Sequence, residues 1–365
     1  MKILVAGDSY CPSSALRPAF DELGRRHEIT FVDLIDEPSW QPTSASELQI
    51  KEYLGSPAQL IRLLDGHDVL VVQGAPVTDV VLDSCPSLGL LCVARGGPAN
   101  IDVSAATARG LPVVTAPGKN AQAVTELVFA LMITLARKIP AVTRYIEGGG
   151  ALGRDNYEGA MWFGFELAGR TLGLVGYGHI GHRVARLALA WGMHVIVYDP
   201  FVEPGVIEAA GRESASLEDL LARSDFVSLH ARSTAQNRGL IGRDAFARMK
   251  PGAIFINTAR DTLVDEDALY DMLRSGHLGG AGLDVVRAPG PDEPLELGRR
   301  HRLLEMPNVA IVAHIGGSTH ETLLRGGEMA AAEITRFAVG DPLLNVANRT
   351  ALEQRRTTAE VTARA

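Results

Sequence analysis

The segment Gly176-Tyr177-Gly178-His179-Ile180-Gly181 constrains this chain more than any other, because it joins the strand-like run TLGLV to the helix-like segment HRVARLALAWG. A GxGxxG turn in that setting suits a dinucleotide. The first glycine permits the tight turn, the second lets backbone N–H groups approach a pyrophosphate, and the third lets helix and strand pack closely. A pyrophosphate then sits on the helix N-terminus. Asp199 ends the next strand, HVIVYD, 23 residues after Gly176. A carboxylate there accepts hydrogen bonds from the ribose hydroxyls and repels a 2′-phosphate, and no Arg follows in Pro200-Phe201-Val202, so NAD is expected over NADP. The same Asp199 also suits a plain turn before Pro200.

Strand-like and helix-like segments alternate along the chain, which predicts an α/β fold of parallel sheets with crossover helices. A first series of strands is expected at Lys2–Ala6, Ile29–Val32, Asp68–Val72, Leu90–Ala94 and Pro112–Thr115. A second series of six follows at Thr171–Val175, His194–Tyr198, Phe226–His230, Ala253–Asn257, Ala281–Asp284 and Val309–Ala313. Between them, AQAVTELVFALMITLARK (121–138) is too long for a strand and apolar around most of its circumference, so it reads as a buried helix at a domain hinge. Residues 147–156, EGGGALGRDN, read as a mobile arm, and a helix over about 321–339 is expected to return to the first domain. The division predicted is residues 1–120 plus 318–348, residues 121–317, and a frayed tail at 349–365.

With 46% apolar and 21% charged residues in 365, the chain can bury two cores. A net charge of −8 without a run of Lys or Arg gives no support for nucleic-acid or membrane-surface partners. Cys11, Cys85 and Cys92 lack metal-ligand spacing and read as reduced core residues, and no metal is expected. The opening MKILVAGDS reads as a strand rather than a leader, and no apolar run reaches the roughly 20 residues of a membrane span. A cytoplasmic protein is the expectation.

Two residues at predicted strand ends suit acid chemistry. Arg260, after the strand AIFIN, could grip a carboxylate and an adjacent oxygen with its planar fork. His314, after VAIVA and before Gly316-Gly317-Ser318-Thr319, could take a hydroxyl proton and return it in the reverse direction. Taken singly, each also suits a structural role, Arg260 as a surface ion-pair partner and His314 as a helix cap. Their joint placement favours chemistry.

These features, with NTARDTLVDEDAL from Asn257, GAGLDVV from Gly280, PNVAIVAHIGGST from Pro307 and DPLLNVAN from Asp341, resemble the D-isomer-specific 2-hydroxyacid dehydrogenases, in particular their phosphoglycerate-dehydrogenase-like branch. The resemblance covers nearly the whole chain. It implies two doubly wound parallel-sheet domains, a flavodoxin-like substrate domain and a Rossmann cofactor domain, around an interdomain cleft. By resemblance Arg260 orients substrate and His314 is the acid/base. Gly176, Gly178, His179, Ile180, Gly181, Asp199, Ala231, Thr258, Ala259, Asp284, Gly316 and Gly317 line the NAD site, with Thr258, Ala259 and Asp284 on its nicotinamide side. The loop Arg95-Gly96-Gly97-Pro98 is similar to the family's substrate-carboxylate loop. A homodimer joined through the cofactor domain is also implied.

Three departures stand out. The family's Glu, which steadies the His, would align with Pro289, and the nearest Glu-Pro is Glu293-Pro294 after a four-residue insertion. Glu293 is therefore expected to hold the His314 tautomer, although an exposed loop residue is the other reading. Ala313 replaces the usual Pro before the His. Arg232 stands where many relatives carry Pro, and it could face the cofactor, the substrate or solvent. Arg95, Lys119 and Arg232 together could add positive charge for a phosphorylated substrate, with a sugar acid as the other candidate. Relatives that serve as NAD-sensing co-repressor scaffolds offer an alternative without turnover, and formate-oxidising relatives are disfavoured because their reaction releases no hydroxyl proton.

Overall fold

Successive side chains of a strand point to opposite faces, so a strand that is apolar throughout must be covered on both sides. Both sheets of this protein meet that condition. The computed structural model describes residues 1–35, 40–44, 46–150, 161–287 and 301–352, and the chain divides into two compact units, Met1–Asn120 with Ser318–Ala365 and Ala121–Gly317.

The first unit holds β1 (Lys2–Gly7), β2 (Glu28–Asp33), β3 (Val69–Val72), β4 (Leu90–Val93) and β5 (Val113–Thr115). They form a parallel sheet in the order β2-β1-β3-β4-β5, which reverses direction between β1 and β3. Leu4, Leu70, Val72, Leu91 and Val113 bury one face against Leu60, Leu64, Val81 and Ala106. Ile3, Val5, Val71, Leu90 and Cys92 bury the other against Leu16, Phe20 and the C-terminal helix, His320–Val339, through Ala330, Ala331 and Ile334. Cys11, Cys85 and Cys92 are all buried and free. Residues 349–352 make a helical turn with Ala351 fully buried, so this part of the expected frayed tail is ordered. Asn348 explains why: its side chain accepts from Val113 N–H at 2.8 Å and donates to the Leu111 carbonyl at 2.9 Å, tying the segment to the sheet edge. The rest of the tail lies outside the described residues.

The second unit holds β6 (Thr171–Val175), β7 (His194–Tyr198), β8 (Glu213–Ser214), β9 (Phe226–Leu229), β10 (Ile254–Asn257), β11 (Gly280–Leu283) and β12 (Val309–Ile311). Their order is β12-β11-β10-β9-β6-β7-β8, again parallel throughout. Among the described residues these are seven strands where six were expected. The additional one, β8, is two residues of Glu-Ser paired to Ile196 and Val197, too short and polar to register as a strand pattern. Helices Ala121–Ala136 and His179–Ala190 cover one face. The first stops two residues earlier than expected because Lys138 takes a left-handed backbone (φ 55°), and a new helix, Ile139–Glu147, begins with Pro140 in its first turn. Of the expected arm, residues 151–156 lie outside the described residues. No described helix is long and apolar enough to cross a membrane.

Candidate active site

The glycine turn after β6 has the geometry its spacing requires. Gly176 has φ 102°, and a Cβ there would lie 2.7 Å from the Ala231 nitrogen. At Gly181 a Cβ would lie 2.2 Å from the Gly176 carbonyl oxygen, so only glycine lets the helix start this close to the strand. Gly178 is the opposite case: nothing stands within 4 Å of its missing side chain. It is also the N-cap of helix His179–Ala190 and makes no side-chain capping bond, so among the described residues no side chain caps the first-turn N–H groups. An open glycine before an uncapped helix start fits a pyrophosphate.

Asp199 lies just past β7, and both its oxygens are set by the backbone. Oδ2 accepts from Tyr177 N–H at 2.7 Å and Oδ1 from Phe201 N–H at 2.9 Å. Asp199 therefore fills the turn-forming role, and a carboxylate has further lone pairs left for a ligand. A hollow beside it is lined by Tyr198, Pro200, Phe201, Val202 and Ser214 to Ser216. On the other side of the turn, His230 follows β9 with its Nε2 3.0 Å from Ser228 Oγ, and burial pushes its ring down to about 3, so it stays neutral. Thr258, past β10, is buried with its hydroxyl unpartnered among the described residues. An orphaned hydroxyl at a sheet's carboxyl edge marks a place for a polar ligand group. Turn, helix start, Asp199 and Thr258 together fit a bound dinucleotide.

Arg260 and His314 belong to the loops after β10 and β12, which are tied together through the end of β11. Asn257, the buried last residue of β10, accepts from Ala259 N–H at 3.0 Å and donates to the Arg260 carbonyl at 2.9 Å. This clasp fixes the loop, while among the described residues the exposed Arg260 guanidinium bonds its neighbour's carbonyl, Ala259 O, at 2.7 Å. The Asn257 carbonyl accepts from Asp284 N–H at 2.9 Å, which links the ends of β10 and β11. Asp284 then holds the next loop: its carbonyl accepts from His314 N–H at 2.9 Å, and its carboxylate accepts from Ile315 N–H at 2.7 Å and Gly316 N–H at 3.0 Å. His314 itself is exposed and in the left-handed region, φ 55°. Asp284, expected to line the nicotinamide side, is 2% exposed and its carboxylate is engaged by the His314 loop. Asn257 was missed by sequence reasoning, although an Asn ending a strand two residues before a loop N–H is an Asx-turn signal.

Other expected residues are placed as follows. Ala231 abuts the glycine turn, Ala259 and Arg260 share the Asn257 clasp, and Gly317 continues the His314 loop. Arg232 is exposed; its carbonyl accepts from Asn237 Nδ2 at 2.7 Å, and its guanidinium has no ion pair among the described residues. Glu293 lies outside the described residues. In the first unit, Gly96 and Gly97 are open on the side where a Cβ would stand. The Arg95 guanidinium is ion-paired to the Glu52 carboxylate and donates to the Glu52 carbonyl at 2.8 Å. Glu52, at φ 54°, neutralises the charge that Arg95 would have offered a substrate.

A doubly wound unit with a dinucleotide turn, preceded by a flavodoxin-ordered sheet, defines a class of two-unit, NAD-binding α/β proteins. Residues 129–316 match the family model described as D-isomer specific 2-hydroxyacid dehydrogenase, NAD binding domain. The chain is 36% identical over 310 residues to a D-3-phosphoglycerate dehydrogenase of Archaeoglobus fulgidus, covering 84% of this chain and 56% of that protein. It is also 36% identical over 304 residues to a hydroxypyruvate reductase of Thermotoga maritima, covering 83% of this chain and 95% of that one. Among solved structures, the TT0316 protein of Thermus thermophilus superposes with a TM-score of 0.72 at 32% identity, covering 95% of this chain and 100% of that chain. This chain belongs to the D-isomer-specific 2-hydroxyacid dehydrogenase family. It spans about half the length of the curated D-3-phosphoglycerate dehydrogenases it matches.

Proposed function

We propose that this protein is an NAD-dependent dehydrogenase of a small, anionic 2-hydroxy or 2-oxo acid. The observation that carries the reading is the Asn257–Asp284 link, which joins the loops bearing a guanidinium and an imidazole on either side of β11 in the cofactor unit. NAD, when bound, accepts a hydride from C2 or returns it. His314 takes the proton of the 2-hydroxyl in the oxidative direction and gives it back in reduction. Arg260 grips the carboxylate and the C2 oxygen, so that the negative charge developing on that oxygen during reduction meets a fixed cation. Glu293 is proposed as the partner that holds the His314 ring, and Gly96 and Gly97 as the loop that receives the substrate carboxylate. Names of relatives support the substrate class: phosphoglycerate, hydroxypyruvate and glyoxylate are all small acids. The reading includes a cytoplasmic homodimer joined through the cofactor unit.

The reading is tested by following NADH and NADPH oxidation with plain and phosphorylated 2-oxo acids. Turnover with NADH and a preference over NADPH is expected, narrowing in Asp199→Ser as the carboxylate that repels a 2′-phosphate is removed. Tight NADH binding with no turnover on any acid would instead favour the NAD-sensing scaffold. For the dimer, Met161, Phe163 and Trp191 of the cofactor unit are 58%, 77% and 47% exposed, apolar surface that suits a partner. Light scattering should give twice the chain mass of 38.9 kDa, and Trp191→Glu should shift it towards the monomer. A monomeric wild type would sink that part.

A further inference from the structure

Lys119 lies past β5 at the carboxyl edge of the first sheet and is 6% exposed. A buried ammonium is costly unless an anion compensates it. Among the described residues its hydrogen bond is to the neutral Gln73 Oε1 at 3.2 Å, and no ion pair reaches it. Two of its three N–H donors are therefore unused. Burial brings Lys119 down to about 8, with Cys11 and Asp8 opposing and Arg95 adding to the shift. Cys11 cannot be the missing anion, because burial pushes its thiol up to about 12. The Asp8 carboxylate accepts from the N–H groups of Tyr10, Cys11 and Gly74, at 3.0, 2.8 and 2.8 Å.

The surroundings say what the ammonium is for. Gln73 follows β3 and Arg95-Gly96-Gly97 follows β4, so Lys119 shares the carboxyl edge at which open α/β sheets receive ligands. The C-terminal helix closes over this point at Gly326, where a Cβ would stand 2.8 Å from the Ala94 carbonyl oxygen and 3.3 Å from Lys119 Nζ. The ammonium thus sits beside the base of the Gly96–Gly97 loop. Its backbone is pinned from the same helix, since Arg325 Nη1 donates to the Lys119 carbonyl at 2.5 Å. Arg95, the obvious cation of the loop, is already neutralised by Glu52. The loop is open where side chains would stand at Gly96 and Gly97 and brings no free charge, and Lys119 has charge without an anion among the described residues.

We propose that Lys119 is the substrate-positioning cation of the first unit, oriented by Gln73, and that it supplies the charge that binds a carboxylate received by the Gly96–Gly97 loop. The proposal rests on the dehydrogenase reading. Backbone N–H groups give the carboxylate direction, and a cation in a dry site adds attraction that an exposed one would lose to solvent. Uncharged amides or esters of the same acids would leave the buried ammonium uncompensated and be rejected.

The test is calorimetric binding of oxamate, a non-reacting carboxylate shaped like a 2-oxo acid, to the full NADH-saturated protein. Lys119→Met keeps the chain length and removes the charge, and should weaken oxamate by about ten- to a hundred-fold, as expected when a charge-assisted hydrogen bond is lost. In the wild type oxamate affinity should carry a fall as pH rises through about 8, the point at which Lys119 loses its proton, and Lys119→Met should lack this component while keeping any that His314 contributes. Equal oxamate affinity in the two proteins, or the same pH slope in both, overturns the proposal. Lys119→Gln is a second variant should Lys119→Met fold poorly. The two readings separate cleanly. Wild-type turnover with unchanged KM in the variants removes the Lys119 role alone, whereas charge-dependent oxamate binding without turnover removes the dehydrogenase alone.

Discussion

His314→Asn is expected to lower kcat for NADH-driven reduction of a 2-oxo acid by about a hundred- to ten-thousand-fold, the range in which a positioned acid/base contributes. NADH affinity, read by fluorescence titration, should stay within about two-fold, because nothing in the glycine turn or Asp199 depends on the imidazole. Asparagine is the informative replacement. His314 holds φ 55°, a region that asparagine tolerates better than alanine. The loop itself is held by three hydrogen bonds to Asp284 that use the N–H groups of residues 314 to 316, so removing the ring leaves its scaffold in place. Turnover within ten-fold of wild type would remove His314 from the chemistry.

Asp284→Asn should have the next largest effect. The buried carboxylate accepts from two N–H groups, and an amide presents one acceptor and one donor, so one backbone N–H would face an N–H. The mismatch should cost about 1–3 kcal/mol. For a unit of this size that lowers Tm by about 2–4 °C per kcal/mol. Because the loop positions His314, kcat should also fall, by about ten- to a hundred-fold, with KM for NADH little changed. A double variant with His314→Asn decides between stability and positioning. If Asp284 acts through His314, adding Asp284→Asn to His314→Asn should lower kcat no further. Full additivity in kcat would assign Asp284 a separate role.

Much of the cofactor unit was legible in the sequence because its signals are local. The glycine turn is six consecutive residues with a strand before and a helix after, and its physics is completed within the segment. The same holds for the alternation of the two sheets, since apolar strands covered on both faces leave an unbroken pattern. Where local signal was weak, expectation and structure part. The Glu-Ser edge strand β8 carries no pattern, and the helix end at Lys138 depends on one left-handed residue that no spacing announces.

What the sequence by itself determined is the family, the fold class and the choice of Asp199, Arg260 and His314 as the residues proposed for the chemistry, because residue type and distance along the chain suffice for these. Only the tertiary structure decided what each polar group is engaged with. Asp284 meets the His314 loop 30 residues later, Arg95 meets Glu52 43 residues earlier, and Lys119 is enclosed by a helix some 200 residues away at Gly326. The physical reason is that charge compensation and desolvation depend on what is near in space, and at these separations chain order says nothing about spatial neighbours.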